Sequence, residues 1–141
     1  MQIHIINGPN LNLLGVREPA VYGSEGFDGF LNTLRANYPD VKLDYFQSNV
    51  EGELINYLHT IGFTSDGIVF NAGGYTHTSV AIADAVAAIK SPVVEVHITN
   101  VYAREEYRHI SLMAGKCKGV IAGLGLSGYE LAIRFLIEQK K

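Results

Sequence analysis

With 141 residues, the chain is long enough for one domain whose core needs neither disulfides nor a structural metal. Hydrophobic residues make up 48% and charged residues 18%, a balance that is typical of globular proteins and excludes a disordered chain. The net charge of −3 argues against general binding of nucleic acid, although a few well-placed donors would suffice for a small anionic ligand.

Five short runs of apolar, β-branched residues recur along the chain, and most of them lack polar alternation. Such runs are typical of strands that are buried on both faces of a parallel sheet. We predict strands at Ile3–Ile6, Val41–Phe46, Gly67–Phe70, Val93–Ile98 and Gly119–Ala122.

Four other segments carry apolar residues three or four positions apart, which predicts amphipathic helices within residues 27–38, 54–61, 82–89 and 131–136. Strands that alternate with helices imply a parallel sheet with helices on both faces and right-handed crossovers. We therefore predict an α/β, flavodoxin-like doubly wound fold with strand order 2-1-3-4-5, as a single domain over residues 1–141. The predicted helix N-caps are Ser24, Thr78 and Ser127.

The third predicted helix, Ser79–Ile89, has Asp84 as its only charged residue and is otherwise apolar on nearly every side. A helix of this kind must be covered on more than one side, and a subunit interface would provide that cover. Asp84 would then reach a neighbour's site. The alternative is a helix beneath a loop, with Asp84 in solvent.

Each predicted strand runs into polar or glycine residues. These are Asn7–Asn10, Gln47–Asn49, Asn71–Gly74, Thr99–Asn100 and Gly123. Ligands of open α/β sheets bind at the carboxyl ends of the strands, so we expect the site at this edge.

Residues 8–23 show no clear period, and a loop this long is often an active-site lid. The lid holds Arg17 and Tyr22. An arginine about 4 Å from a tyrosine supplies roughly 4 kcal/mol at an effective dielectric near 20, enough to bring its pKa from about 10 towards neutrality. Such a tyrosine could act as a base, although a tyrosine near an arginine on a loop is more often a surface cation–π or hydrogen-bonded pair.

Glu95 and His97 are two residues apart on a strand, so both side chains point to one face. A buried carboxylate needs a partner, and it would fix the orientation and tautomer of the histidine. Such a histidine can donate a proton to a leaving group. A purely structural pair is the alternative.

Other polar residues near the predicted edge could contact a ligand, cap a helix or lie in solvent, and their positions in the sequence do not distinguish these alternatives. His77, in the glycine turn after the third strand, could bind a ligand or cap the helix. Arg104 and Arg108 could clamp a hydroxyl or carboxylate, or lie in solvent.

The histidines and the single cysteine, Cys117, have no metal-ligand spacing, so no metal is expected. A lone cysteine, with no basic or long apolar stretch after Met1, leads us to expect a cytoplasmic protein that does not bind membranes. A flavin-carrying module or a receiver domain remains an alternative on this fold. The phosphate loop and the acidic cluster that they need are replaced by Asn7, Pro9 and Asn71.

Eight stretches form a series of motifs: Asn7–Gly15, Arg17–Pro19, Tyr22–Gly23, Phe46–Asn49, Asn71–Ser79, Pro92–His97, Ala103–Glu106 and Gly119–Gly125. In this order they resemble the type II 3-dehydroquinate dehydratases, over roughly Ile3 to Glu138. The resemblance implies a cofactor-free lyase that removes water from 3-dehydroquinate, a small anionic substrate, by anti elimination through an enolate. This step of the shikimate pathway serves aromatic amino acid biosynthesis and quinate breakdown alike.

By matching position, Tyr22 resembles the family's base, and Arg17 the residue that lowers its pKa. His97 resembles the acid that protonates the departing hydroxyl, oriented by Glu95. Asn10 resembles the residue that stabilises the enolate through an ordered water.

The remaining matches concern substrate binding and assembly. The carboxylate would be held by Asn71 and the backbone amides of Ile98 and Thr99, although the family usually has serine at the Thr99 position. Ring hydroxyls would be held by His77 and Arg108, with Arg104 near the lid. Asp84 matches a residue contributed by an adjacent subunit, and the family's assembly implies a homododecamer built from trimers.

Overall fold

The computed structural model describes residues 1–17 and 26–141, and of Arg17 it describes the backbone only. Five parallel strands form one sheet in the order β2-β1-β3-β4-β5. The predicted fold class and strand order are therefore confirmed. The strands are β1 Gln2–Asn7, β2 Lys42–Gln47, β3 Gly67–Asn71, β4 Val93–His97 and β5 Gly119–Ala122.

Helices cover both faces of the sheet. One hydrophobic cluster joins the sheet to α2 and α5, and a second joins the opposite face to α3 and α4. None of the helices in the described ranges is long and apolar enough to cross a membrane. The helices are α1 Leu14–Arg17, α2 Gly26–Asn37, α3 Glu51–Ile61, α4 Val80–Ala88 and α5 Ser127–Lys140.

The central strands lack polar alternation because both of their faces are covered. In β3, Val69 points into the first cluster, while Ile68 and Phe70 point into the second. All three are fully buried, as expected for a strand between two layers of helix. The edge strand β5 is more open, and Val120 is 48% exposed.

Two of the predicted helix starts are wrong by one residue. The N-cap of α4 is Ser79 rather than Thr78, because the Ser79 hydroxyl accepts a hydrogen bond from the backbone N–H of Ile82 at 2.9 Å. Helix α5 begins at Ser127 itself, so its N-cap is Leu126. The third predicted cap, Ser24, lies outside the described residues.

The first half of the predicted lid is more regular than expected. A 3-10 turn at Leu11–Leu13 leads directly into α1. These elements were missed because single turns are too short to show a hydrophobic period.

Candidate active site

A cavity of about 420 Å³ lies at the carboxyl edge of the sheet, where β1, β3 and β4 end. This is the edge at which the sequence placed the site. Its lining brings together most of the predicted residues that the structure describes: Asn10, Asn71, His77, His97, Ile98, Thr99, Arg104 and Arg108. Leu11, Leu14 and Val101 add wall residues that the sequence did not single out.

Close backbone packing brings the turn after β1 against the turn after β3. The backbone N–H of Gly8 donates to the carbonyl oxygen of Asn71 at 2.7 Å. A Cβ at Gly8 would lie 2.4 Å from the carbonyl oxygen of Ala72, so only glycine fits there. Asn10 then adopts a left-handed conformation with φ 71°, and its N–H donates to Oδ1 of Asn49.

Glu95 and His97 form a buried pair at the end of β4. Their side chains share one face, as predicted, and Nε2 of His97 lies 2.5 Å from Oε2 of Glu95. Glu95 is fully buried and His97 is 7% exposed, while Val94 and Val96 fill the opposite face. Nδ1 of His97 has no hydrogen-bond partner among the described residues, so it is the ring nitrogen available to a ligand.

The imidazole of His77 lies beside that of His97, with ring centroids 6.2 Å apart and planes inclined by 22°. Nδ1 of His77 is 2.8 Å from the carbonyl oxygen of Ile110. A carbonyl oxygen can only accept, so Nδ1 carries a proton and Nε2 is an acceptor in the neutral ring. The ring can therefore accept a hydrogen bond from a ligand hydroxyl.

The arginines at the cavity share one acidic neighbour, Glu105. Nε of Arg108 donates to Glu105 at 2.9 Å, and Nε of Arg104 lies 3.7 Å from the same carboxylate oxygen. Hydrogen bonds from its own backbone and then from Arg108 lower the pKa of the Glu105 carboxyl. Arg104 also reaches the Thr99 hydroxyl at 3.5 Å, so the predicted lid-side arginine lies within the cavity wall.

The two residues that follow β4 contribute to the same cavity. Ile98 and Thr99 line the cavity, and neither N–H donates to a backbone carbonyl among the described residues. Two adjacent amides of this kind can together bind a carboxylate oxygen.

A buried polar network supports Asn71 from below, and the sequence analysis missed it. Nδ2 of Asn71 donates to the Tyr129 hydroxyl at 2.9 Å, and that hydroxyl donates to Oδ1 of Asn7 at 2.7 Å. Oδ1 of Asn71 accepts from the N–H of Gly73. Asn7 continues the network to the hydroxyl of Tyr45, whose pKa is raised by burial. These contacts leave little freedom to the amide of Asn71.

A second missed contact concerns Glu95. The Ser111 hydroxyl donates to Oε1 of Glu95 at 2.8 Å. The Cys117 thiol lies nearby, and burial, followed by the field of Glu95, raises its pKa to about 12. Neither contact had a signal in the sequence, because both residues are far along the chain from β4.

Apart from the buried Glu95, which contacts His97 but does not itself line the cavity, three predicted site residues are not brought into it by the described structure. Asp84 lies on the exposed side of α4 and does not line the cavity of its own chain. Tyr22 and the side chain of Arg17 lie outside the described residues. Within residues 1–17 and 26–141, no three His, Cys, Asp or Glu side chains are grouped so as to hold a metal ion.

The fold and site define a small doubly wound α/β enzyme whose ligand site lies at the carboxyl edge of its sheet. Comparison with known proteins gives the family. The family described as dehydroquinase class II matches residues 1–137, and the chain belongs to this family.

Individual relatives match over nearly their whole length. A 3-dehydroquinate dehydratase from Exiguobacterium sp. is 55% identical over 139 residues, which cover 98% of this chain and 95% of the relative. One from Bacillus pumilus is 54% identical, with 96% and 93% covered. The crystal structure of a type II dehydroquinase from Butyrivibrio crossotus superposes with a TM-score of 0.90 at 45% identity, covering 97% of both chains.

Proposed function

We propose that the chain removes water from 3-dehydroquinate to give 3-dehydroshikimate, by anti elimination through an enolate and without a cofactor. The chain is a hydro-lyase by its family. The observation that carries the proposal is the buried Glu95–His97 pair, whose free imidazole nitrogen lies at a cavity with donors for an anion.

His97 is the proposed acid. Because Nε2 is engaged by Glu95, the proton for the leaving hydroxyl comes from Nδ1 of the doubly protonated ring. Glu95 compensates the charge of that ring and prevents it from rotating. One positioned acid, or one positioned base, typically raises the rate about 10²–10⁴-fold.

Tyr22 is the proposed base, assisted by Arg17, and residues 8–23 are the proposed lid. In its ionised form Tyr22 would remove the proton from the carbon beside the ketone. Support comes from the resemblance and from the start of this segment, where Asn10 and Leu14 line the cavity. Asn10 would stabilise the enolate oxygen through a water, and preorganised donors at such an oxygen are usually the largest contribution to catalysis.

The substrate carboxylate would be bound by Asn71 together with the amides of Ile98 and Thr99. Their support is the geometry of the cavity floor, where Asn71 is held by its own hydrogen bonds. The Thr99 hydroxyl and amide both remain present, so the replacement of the usual serine should change affinity only modestly.

Ring hydroxyls would be bound by His77 and Arg108, with Arg104 closing the side of the cavity. Nε2 of His77 is the acceptor of this group, and the guanidinium of Arg108 is a donor. His77 can therefore accept a hydrogen bond from a ring hydroxyl, and Arg108 can donate one to a hydroxyl oxygen.

The proposed assembly is a homododecamer built from trimers, in the cytoplasm. Support comes from the outer side of α4. Val80 is 63% exposed there, one turn before Asp84, which is the only charged residue of the helix. In the assembly this side would be covered, and Asp84 would enter the cavity of an adjacent subunit.

An ultraviolet assay of enone formation tests the activity. Purified chain is mixed with 3-dehydroquinate in the presence of a chelator and without added cofactor. We expect absorbance to rise with a rate proportional to enzyme concentration. A correctly folded chain that produces no enone would refute the proposal, and a coloured, flavin-binding preparation would favour the electron-transfer alternative.

A further inference from the structure

Both carboxylate oxygens of Glu95 have a side-chain partner, one on each side. Oε2 is engaged by His97, and Oε1 accepts the Ser111 hydroxyl proton at 2.8 Å. Ser111 lies 16 residues further along, in the irregular segment between β4 and β5. A fully buried carboxylate is thus held by one residue of its own strand and one of a distant loop.

The loop fixes the direction in which the Ser111 hydroxyl points. The backbone N–H of Ala114 donates to Oγ of Ser111 at 3.1 Å, so the single hydroxyl proton is directed to Glu95. The next residue, Leu112, donates its N–H to the carbonyl oxygen of Thr76 at 2.9 Å, which ties the loop to the turn after β3. The contact between Ser111 and Glu95 is therefore held in place by hydrogen bonds that involve neither Glu95 nor His97.

No other described side chain competes for this oxygen. The Cys117 thiol, whose pKa the field of Glu95 helps to raise, donates instead to the carbonyl oxygen of Met113 at 3.4 Å. The terminal torsion of a glutamate is broad, so one hydrogen bond alone leaves the carboxylate plane free to turn. A second bond on the opposite oxygen removes that freedom.

We propose that Ser111 is a positioning residue for the acid step. By fixing the carboxylate plane of Glu95, it keeps Nδ1 of His97 aimed at the leaving hydroxyl. This inference rests on the proposed role of His97. It assigns Ser111 to the loss of water and not to the preceding removal of a proton by Tyr22.

The Ser111→Ala variant should lower the rate of dehydration about tenfold or more, since an unpaired buried oxygen will reorient to find another partner. Exchange of the proton beside the ketone with deuterium from the solvent should stay within about twofold of the wild-type rate, because it needs only the base. The ratio of exchange to dehydration should therefore rise. A loss of overall structure would lower both rates together.

Three controls make the result specific. Ser111→Thr keeps the hydroxyl and should keep the ratio within about twofold of wild type. Ser91→Ala removes a buried hydroxyl that also donates at 2.8 Å, but to the carbonyl oxygen of Ser65 outside the cavity, and should leave both rates unchanged. In a His97→Ala background, Ser111→Ala should cause no further loss if it acts through that ring.

The outcomes separate this inference from the activity on which it rests. If the wild-type chain does not dehydrate 3-dehydroquinate, the proposed function fails. If the wild type is active and Ser111→Ala keeps the wild-type ratio of exchange to dehydration, the role of Ser111 is refuted. A raised ratio in Ser111→Thr would refute it too. Should Ser111→Ala not fold, Ser111→Cys, a near-isosteric weak donor, provides the same ratio test.

Discussion

The Tyr129→Phe variant tests whether the network beneath Asn71 stabilises the fold. The ring of Tyr129 is fully buried, and its hydroxyl bridges Oδ1 of Asn7 and Nδ2 of Asn71. Without the Tyr129 hydroxyl, Oδ1 of Asn7 loses its donor from that residue and Nδ2 of Asn71 loses its acceptor. A buried polar group left unpaired costs about 1–3 kcal/mol, so we expect a loss of about 2–5 kcal/mol in the free energy of unfolding.

Urea unfolding at one fixed protein concentration measures this loss, because assembly would otherwise add to the apparent stability. For a chain of this size the loss corresponds to a fall in Tm of about 6–15 °C. Affinity for substrate should also fall, since the amide of Asn71 becomes free to turn. The same change at Tyr38, whose hydroxyl donates to Glu130 near the surface at 2.8 Å, is the matched control and should cost below about 1 kcal/mol. Equal losses in the two variants would refute the reasoning.

Four further expectations concern the acid, the base, the subunit contact and pH. His97→Ala should slow dehydration by about 10²–10⁴-fold while solvent exchange beside the ketone continues; equal loss of both would reassign the acid. Tyr22→Phe should lose turnover on the same scale but still bind a substrate analogue in calorimetry, and near-normal turnover would exclude Tyr22 as the base. Mixing refolded Asp84→Ala and Tyr22→Phe chains should restore part of the activity if Asp84 enters a neighbouring cavity, whereas no recovery at any mixing ratio would argue that it does not. Burial lowers the pKa of His4 below its usual 6.5, so the folded chain takes up its proton less readily than the unfolded chain. Stability is then complete above pH about 6.5 and declines as the pH falls below it, and His4→Gln should flatten that decline in thermal unfolding.

The strands could be predicted because burial on two faces leaves a clear pattern in the sequence, and their order followed from the doubly wound fold class that alternating strands and helices indicate. In a chain this short, continuous apolar residues such as Ile68, Val69 and Phe70 are typical of a strand between two layers of helix. The side-by-side placement of Glu95 and His97 followed from the two-residue period of a strand, and their hydrogen bond confirms it. Local periodicity is therefore sufficient for these features.

Contacts between distant parts of the chain could not be predicted in the same way. The hydroxyl of Tyr129 bonds to Asn7 across 122 positions, and no local pattern marks that pairing. The same holds for Ser111, which reaches Glu95 only through the course of an irregular loop. The N-cap of α4 was misplaced for a different reason, since Thr78 and Ser79 are both good caps and only backbone geometry distinguishes them.

The half-buried thiol of Cys117 has a practical consequence for attaching a probe to α1. With a pKa of about 12, it stays protonated near neutral pH and reacts slowly with maleimides, which need the thiolate. Cys117 is the only cysteine in the sequence, and Val16 on α1 is 77% exposed. A cysteine introduced at Val16 would therefore be labelled with a fluorophore almost exclusively. Labelling would need no prior removal of the native residue.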